Sequence, residues 1–174
     1  MLTQLRFFAG DVKRMAGKKK LRVAFIWLNR SFCGIFSYRL DRSLFLFFGK
    51  TYRIIRIPLI PLFNIWQAYS NIDIHYEAEI GPGINILHCS MGVVVSGKSL
   101  IGKNLTLTGG NVIGAKTEVK PRQIVLGDNC SMGANAVVLG PITIGSNVKI
   151  GAMALVVKNC GDNVTLIGVP AKEV

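Results

Sequence analysis

An apolar residue recurs every six positions through the C-terminal part of this chain, at Leu126, Met132, Val138, Ile144, Ile150 and Val156. Glycine follows four of these, at Gly127, Gly133, Gly145 and Gly151. The same beat runs earlier through Ile74, Ile80 and Ile86, then through Val95, Ile101, Leu107 and Ile113. A helix repeats every 3.6 residues and a lone strand every 2, so a six-residue period demands a repeat architecture. Three flat six-residue sides make a triangular coil of about 18 residues, and coils stack at the inter-strand spacing of about 4.8 Å. The beat residue points into the narrow core. Glycine, and the asparagines at Asn104, Asn129 and Asn147, suit tight corners where φ turns positive. Residues 71–174 therefore read as a parallel β-helix of roughly five to six coils, less any loop.

Charge and aromatic content divide the chain at the same place. Residues 1–70 hold 13 Lys/Arg against 2 Asp, whereas residues 71–174 hold 8 Lys/Arg against 7 Asp/Glu. Of the 15 aromatic residues, 14 precede residue 71. The pattern predicts helices over 1–10, 21–34 and 35–49, a basic connector over 13–20, and helix stops at Pro58 and Pro61. The N-terminal segment is thus a short, basic, aromatic-rich helical region. Two readings stay open for it: contact with an anionic membrane face, or packing on the solenoid and on other subunits. Basic residues among aromatics also suit RNA, but no nucleic-acid motif is present, and no nucleic-acid partner is expected. The longest uncharged run that begins in the N-terminal segment, Ile57 to Ile72, is interrupted by Pro58 and Pro61 and falls short of the about 20 apolar residues a spanning helix needs. No signal peptide is expected.

Cys33, Cys89, Cys130 and Cys160 form no CxxC pair, and His75 and His88 are the only histidines. No metal-ligand spacing results, so no metal is expected, and the cysteines read as free thiols in a reducing cytoplasm. A cytoplasmic protein, peripheral at the inner membrane face, is the corresponding localisation.

The beat fails twice. The step from Ile86 to Val95 is nine residues, and that from Ile113 to Leu126 is 13. Insertions in solenoids map to surface loops, often on the binding face. The first break carries His88, and the second carries Lys116, Lys120 and Arg122.

The beat, LHCSMGVVVSG at 87–97, the loop ending PRQIVLGDN, the run SMGANAVVLGPITIGSNVKIGAMALVV at 131–157 and the ending GVPAKEV resemble the hexapeptide-repeat acyltransferases. The resemblance is to the serine acetyltransferases and the related acetyltransferases of exopolysaccharide synthesis. It implies a left-handed parallel β-helix, a homotrimer with sites between neighbouring solenoids, and acetyl transfer from acetyl-CoA to a hydroxyl. On the matching positions, His88 is the general base and Asp73, 15 residues earlier, orients it. An imidazole takes a hydroxyl proton near neutral pH, and a carboxylate fixes its tautomer. A spacing of 15 is close to one coil, which predicts that the two face each other across adjacent coils. His75 has no such context and reads as structural. Cys89 invites an acyl-cysteine, but the resemblance implies direct attack in a ternary complex.

Small residues line the family's CoA groove, and the matching positions are Gly114, Ala115, Gly133, Ala134, Gly151 and Ala152. Pro170 and Lys172 match its C-terminal segment, where Lys172 can meet a CoA phosphate. Two departures bear on the acceptor. Leu87 stands where the serine enzymes have Asp, and Gln123 follows Arg122 where they have His. These departures argue for a sugar acceptor in a surface polysaccharide or lipid-linked glycan, with Leu87, Arg122 and Gln123 contacting it. Serine O-acetyltransferase is the alternative. A non-catalytic solenoid acting as an interaction platform is a rival of another class. A carbonic-anhydrase-like β-helix lacks the three histidines its zinc requires.

Overall fold

The structure, a computed structural model, describes residues 2–17 and 22–174. From Ile72 onward the chain winds through three sheets in turn, here called faces A, B and C. The first coil is β1 (Ile72–Ile74), β2 (Glu79–Ile80) and β3 (Asn85–Ile86). The second is β4 (Val93–Val95), β5 (Ser99–Ile101) and β6 (Thr106–Leu107). The third is β7 (Asn111–Ala115), β8 (Ile124–Leu126) and β9 (Ser131–Met132), and the fourth β10 (Val137–Gly140), β11 (Ile142–Ile144) and β12 (Lys149–Ile150). A partial fifth coil holds β13 (Leu155–Val156) and β14 (Thr165–Gly168), and β15 (Ala171–Glu173) folds back antiparallel on β14. About four full turns form, the five to six expected less what the loops take up. The two breaks are those loops. Ile74 pairs with Val95 and Ile101 with Leu126, steps of 21 and 25 residues, against 18 from Leu126 to Ile144.

Each side contributes two interior residues. The beat residue is one, and the residue two places before it is the other. Ile72, Ala78, Ile84, Val93, Leu105, Ile124, Cys130, Ala136, Ile142, Val148 and Ala154 are all buried alongside the beat residues. The period-2 alternation of a strand thus survives inside the six-residue period. At the B-to-C edge, Asn104, Asn129, Asn147 and Asn163 adopt φ near +60° (59, 59, 58 and 63°). Their amides donate down the stack, each to the next carbonyl oxygen, over 2.9, 3.1 and 2.9 Å. The corner asparagines therefore serve twice, as tolerated left-handed residues and as a ladder.

The N-terminal segment forms α1 (Leu2–Ala16), α2 (Arg22–Phe25), α3 (Arg30–Phe48), α4 (Tyr52–Ile55) and α5 (Ile60–Ser70). Helix α1 runs six residues past the expected end at Gly10, and residues 18–21 of the expected connector and second helix lie outside the described residues. The helix boundary falls at Asn29, not Gly34, because Asn29 Oδ1 accepts from the Ser31 amide (2.9 Å) and caps α3. Gly34 sits inside α3, where a Cβ would lie 2.6 Å from Ile72 Cδ1. Its bareness lets the helix approach the first strand. Pro61 opens α5 instead of ending a helix, since the first helical turn does not need its N–H.

These helices cover the open end of the first coil, which has no coil beneath it. Ile35 and Tyr38 join the interior cluster. Polar side chains meet the coil's unpaired backbone. Ser31 Oγ donates to Ile86 O (2.9 Å), Tyr38 OH to Ala78 O (2.9 Å), and Arg42 to Tyr76 O and Glu77 O (3.2 and 3.1 Å). Arg39, only 2% exposed, donates to Ile80 O and Gly81 O, both at 2.7 Å. Its Nε lies 2.9 Å from Asp11 Oδ2, and Asp11, fully buried, accepts from the Gly83 and Ile84 amides at 2.6 and 3.0 Å. Burial pushes the Asp11 carboxyl up, against the opposing pull of Arg39 and the two amides.

Arg39→Met leaves Asp11 as an uncompensated buried charge and two carbonyls unpartnered. It should lower stability by about 3–5 kcal/mol in urea denaturation. Replacing both partners with apolar residues should not restore the loss, because the backbone groups stay unsatisfied.

Candidate functional site

The three edges of the prism separate the chemistry. The C-to-A edge is a column in which each turn hydrogen-bonds to the next. Leu87 N donates to Leu107 O (2.9 Å), His88 N to Thr108 O (2.8 Å) and Thr108 N to Met132 O (3.0 Å). Below them, Gly133 N donates to Ile150 O and Gly151 N to Leu166 O, both at 2.8 Å. Reading down this edge gives Leu87–His88, Thr108–Gly109, Gly133–Ala134, Gly151–Ala152 and Ile167–Gly168. The structure therefore aligns the sequence-predicted base with four of the predicted CoA-groove residues. Pro170 and Lys172 lie at the far end of face C, Lys172 in β15, five strands along from β3 and so about 24 Å from His88 along the stack.

His88 and Leu87 are exposed, and His88 leads into a 3₁₀ turn, Cys89–Met91, that makes up the first break. Beside it, Asp73 points outward from the middle of β1 and is exposed. Asp73 lines a cavity of about 270 Å³ together with Met91 and Gly92 of the break. Asn71 Nδ2 donates to Ser90 O (2.9 Å), tying the break to the start of β1. Among the described residues no hydrogen bond joins Asp73 to His88. The 15-residue spacing is also less than any coil. It carries the chain from face A round to the C-to-A edge, where the break passes over β1.

The position of His88 depends on two residues that the beat does not mark. Gly109 has φ +138°, and a Cβ there would lie 2.3 Å from the His88 carbonyl oxygen. Asn111 is fully buried at an interior position two before Ile113. Its Oδ1 accepts from the Gly109 amide (2.9 Å) and its Nδ2 donates to Gly133 O (2.7 Å). One buried amide thus braces both the turn under His88 and the next turn of the column. The signal was present in the sequence: an Asn where the equivalent positions are mostly Ile, Leu, Val, Ala or Cys.

The second break lies on the other edge of face A. Residues 116–123 leave β7 and return at β8, on the A-to-B edge, beside Gly114 and Ala115. Arg122, at φ +63°, makes a two-pronged ion pair with Glu79 of β2 (2.7 and 3.0 Å), and this pair holds the Glu79 carboxyl below its usual range. Gln123 Oε1 accepts from the Lys120 amide (2.8 Å). Within one chain, Arg122, Gln123, Gly114 and Ala115 are therefore separated from His88 by the width of face A. His75 stacks on Tyr76 with 4.4 Å between ring centroids, and its Nδ1 accepts from the Glu77 amide (3.1 Å). Burial lowers its pKa, in keeping with a neutral ring.

The bacterial transferase hexapeptide (six repeats) family matches residues 123–158. A serine acetyltransferase of Synechocystis is 33% identical over 153 residues, 85% of this chain and 59% of that protein. A crystal structure of Neisseria gonorrhoeae serine acetyltransferase in complex with serine superposes with a TM-score of 0.82 at 28% identity, over 99% of this chain and 69% of that one. A serine acetyltransferase structure in complex with CoA gives a TM-score of 0.79 at 25% identity, over 99% and 70%. The chain spans about half the length of the curated relatives it matches.

These relatives overturn the expectation of a sugar acceptor. That expectation rested on two side chains, Leu87 and Gln123, and likeness over 153 aligned residues and nearly the whole fold outweighs them. By its beat, its stacked coils and these relatives, the chain belongs to the hexapeptide-repeat, left-handed β-helix transferases.

Proposed function

We propose that the chain carries the catalytic solenoid of an acetyl-CoA-dependent serine O-acetyltransferase, with His88 as general base. The observation that carries this reading is the C-to-A edge: an exposed histidine at the head of a column of small residues, Gly133, Ala134, Gly151 and Ala152. Small side chains let the pantetheine arm of acetyl-CoA approach the backbone, while Lys172 offers a cation to its phosphates. His88 takes the serine hydroxyl proton as the oxygen attacks the acetyl carbonyl. The C–S bond breaks, and the departing CoA thiolate receives the proton. Asp73 beside the break steadies the imidazolium and supplies a carboxylate near the serine ammonium, at a site where Leu87 offers none. Arg122 suits the serine carboxylate.

The two half-sites lie on opposite edges of face A, so the reading requires a second copy of the chain. The outward column of that face after Asp73 is Val94, Val112, Val137 and Leu155. The outward column of face C is Asn85, Thr106, Ser131, Lys149 and Thr165. An apolar outer column beside a polar one marks face A as the packing surface of a homotrimer, in which one chain's 116–123 loop approaches the next chain's His88.

A second reading concerns residues 1–70. Phe25, Trp27, Leu28, Phe47 and Ile54 are exposed among basic residues, and no helix among the described residues is long and apolar enough to cross a membrane. Aromatic and aliphatic residues interleaved with cations suit the surface of an anionic bilayer. Flotation with phosphatidylserine vesicles should carry the protein upward, and its remaining at the bottom of the gradient would sink this reading.

With acetyl-CoA and L-serine, the wild-type chain should form O-acetylserine. His88→Ala should lower kcat by roughly 100-fold or more. Gly109→Ala, which displaces the His88 carbonyl, should cost about 10–100-fold. Near wild-type turnover by His88→Ala would refute the base assignment. Val137→Asp should dissociate the trimer in sedimentation velocity, and an unchanged trimer would remove face A as its interface.

A further inference from the structure

Helix α5 packs on the first coil through Phe63 and Ser70, both buried. Gln67 lies four residues after the first and three before the second, so it shares their helix face. Yet Gln67 is exposed. It borders a void instead of a packed surface, the cavity of about 270 Å³ that also holds Asp73. Val94 and Val112 of face A add apolar surface to this cavity, and Met91 and Gly92 belong to the turn led by His88.

The polar side chains around the cavity divide into engaged and free ones. Asn71 Nδ2 donates to Ser90 O, and the buried Asn111 amide braces Gly109 and Gly133. Gln67 bonds through its backbone oxygen, to the Asn71 amide at 2.7 Å. Among the described residues, its side chain and that of Asp73 have no partner. Asp73 alone is charged among the residues lining the cavity. A carboxylate beside a spare amide oxygen offers acceptors to a small cation with several N–H groups to give.

We infer that Gln67 is an acceptor-binding residue that, with Asp73, holds the ammonium group of an amino-acid acceptor. The inference rests on the serine reading of the site. Serine carries its ammonium and its hydroxymethyl group on one carbon, so a hydroxyl at His88 places the ammonium close to the adjoining cavity. Asp73 supplies the charge, and Gln67 Oε1 accepts one N–H. The cavity thus provides what Leu87 lacks. The substrate carboxylate then points away from Asp73, toward the side from which the next chain's loop brings Arg122.

The test is steady-state kinetics of the full chain with acetyl-CoA and L-serine. The competitor is 3-hydroxypropionate, which keeps the hydroxyl and carboxylate but lacks the ammonium. Gln67→Leu should raise the KM for L-serine by roughly tenfold, the loss falling on KM and not on kcat. The inhibition constant of 3-hydroxypropionate should not rise with it, so the preference for L-serine shrinks. Gln67→Glu, which keeps an acceptor oxygen, should retain that preference. An unchanged KM in Gln67→Leu, or an equal weakening of both compounds, would overturn the Gln67 assignment, while O-acetylserine formation by the wild type leaves the serine reading standing. No O-acetylserine from the wild type would overturn both.

Discussion

A stack of β-coils has two ends, and the lower one decides whether the stack can stand. The carbonyls and amides of a first coil have no neighbour to pair with, and an exposed edge of that kind invites further chains to add. Here Arg39 and Asp11 meet it together. The guanidinium takes two carbonyls, the carboxylate takes two amides, and each neutralises the other's charge out of water. Charge alone would be a poor reason for such a buried pair, since desolvation offsets most of the attraction. Its value lies in the four backbone groups it satisfies. Coil after coil can then add by regular pairing.

That cap revises the meaning of the basic N-terminal segment. Composition pointed toward an anionic surface, yet much of the charge is spent inside the protein. Arg14 and Arg42 donate to coil carbonyls. Arg56 pairs with Asp41 at 3.0 Å and lies over the rings of Phe63 and Tyr76, 5.4 and 5.0 Å from their centroids. Arg30 stacks 5.7 Å from Tyr69. Guanidinium groups suit such places, being planar, weakly hydrated and rich in donors.

The prism also makes the site rigid and partial at once. Its corners are fixed by pairing above and below, so His88 is held by the turn beneath it through Gly109 and Asn111. A rigid frame of this sort serves positioning well. The same geometry keeps the two breaks apart, one on each edge of face A.

Periodicity alone determined the coil, its interior beat residues and the two places where the beat is interrupted, because a six-residue period has few physical solutions. It also exposed His88, through the break that carries it. The second interior position of each side was legible too, in residues such as Ile84, Leu105 and Val148, as the strand alternation nested within the beat. Tertiary structure decided what periodicity could not. Which face each residue occupies depends on the lengths of the inserted turns, 21 and 25 residues against 18. The helix boundary at Asn29 depends on a cap and a close approach to Ile72, and the fate of the arginines depends on where the first coil ends. Arg122 looked free as a charge in a loop, and only folding set Glu79 beside it. Local pattern reports which way a side chain faces, whereas its partners come from segments tens of residues away, and only packing brings those together.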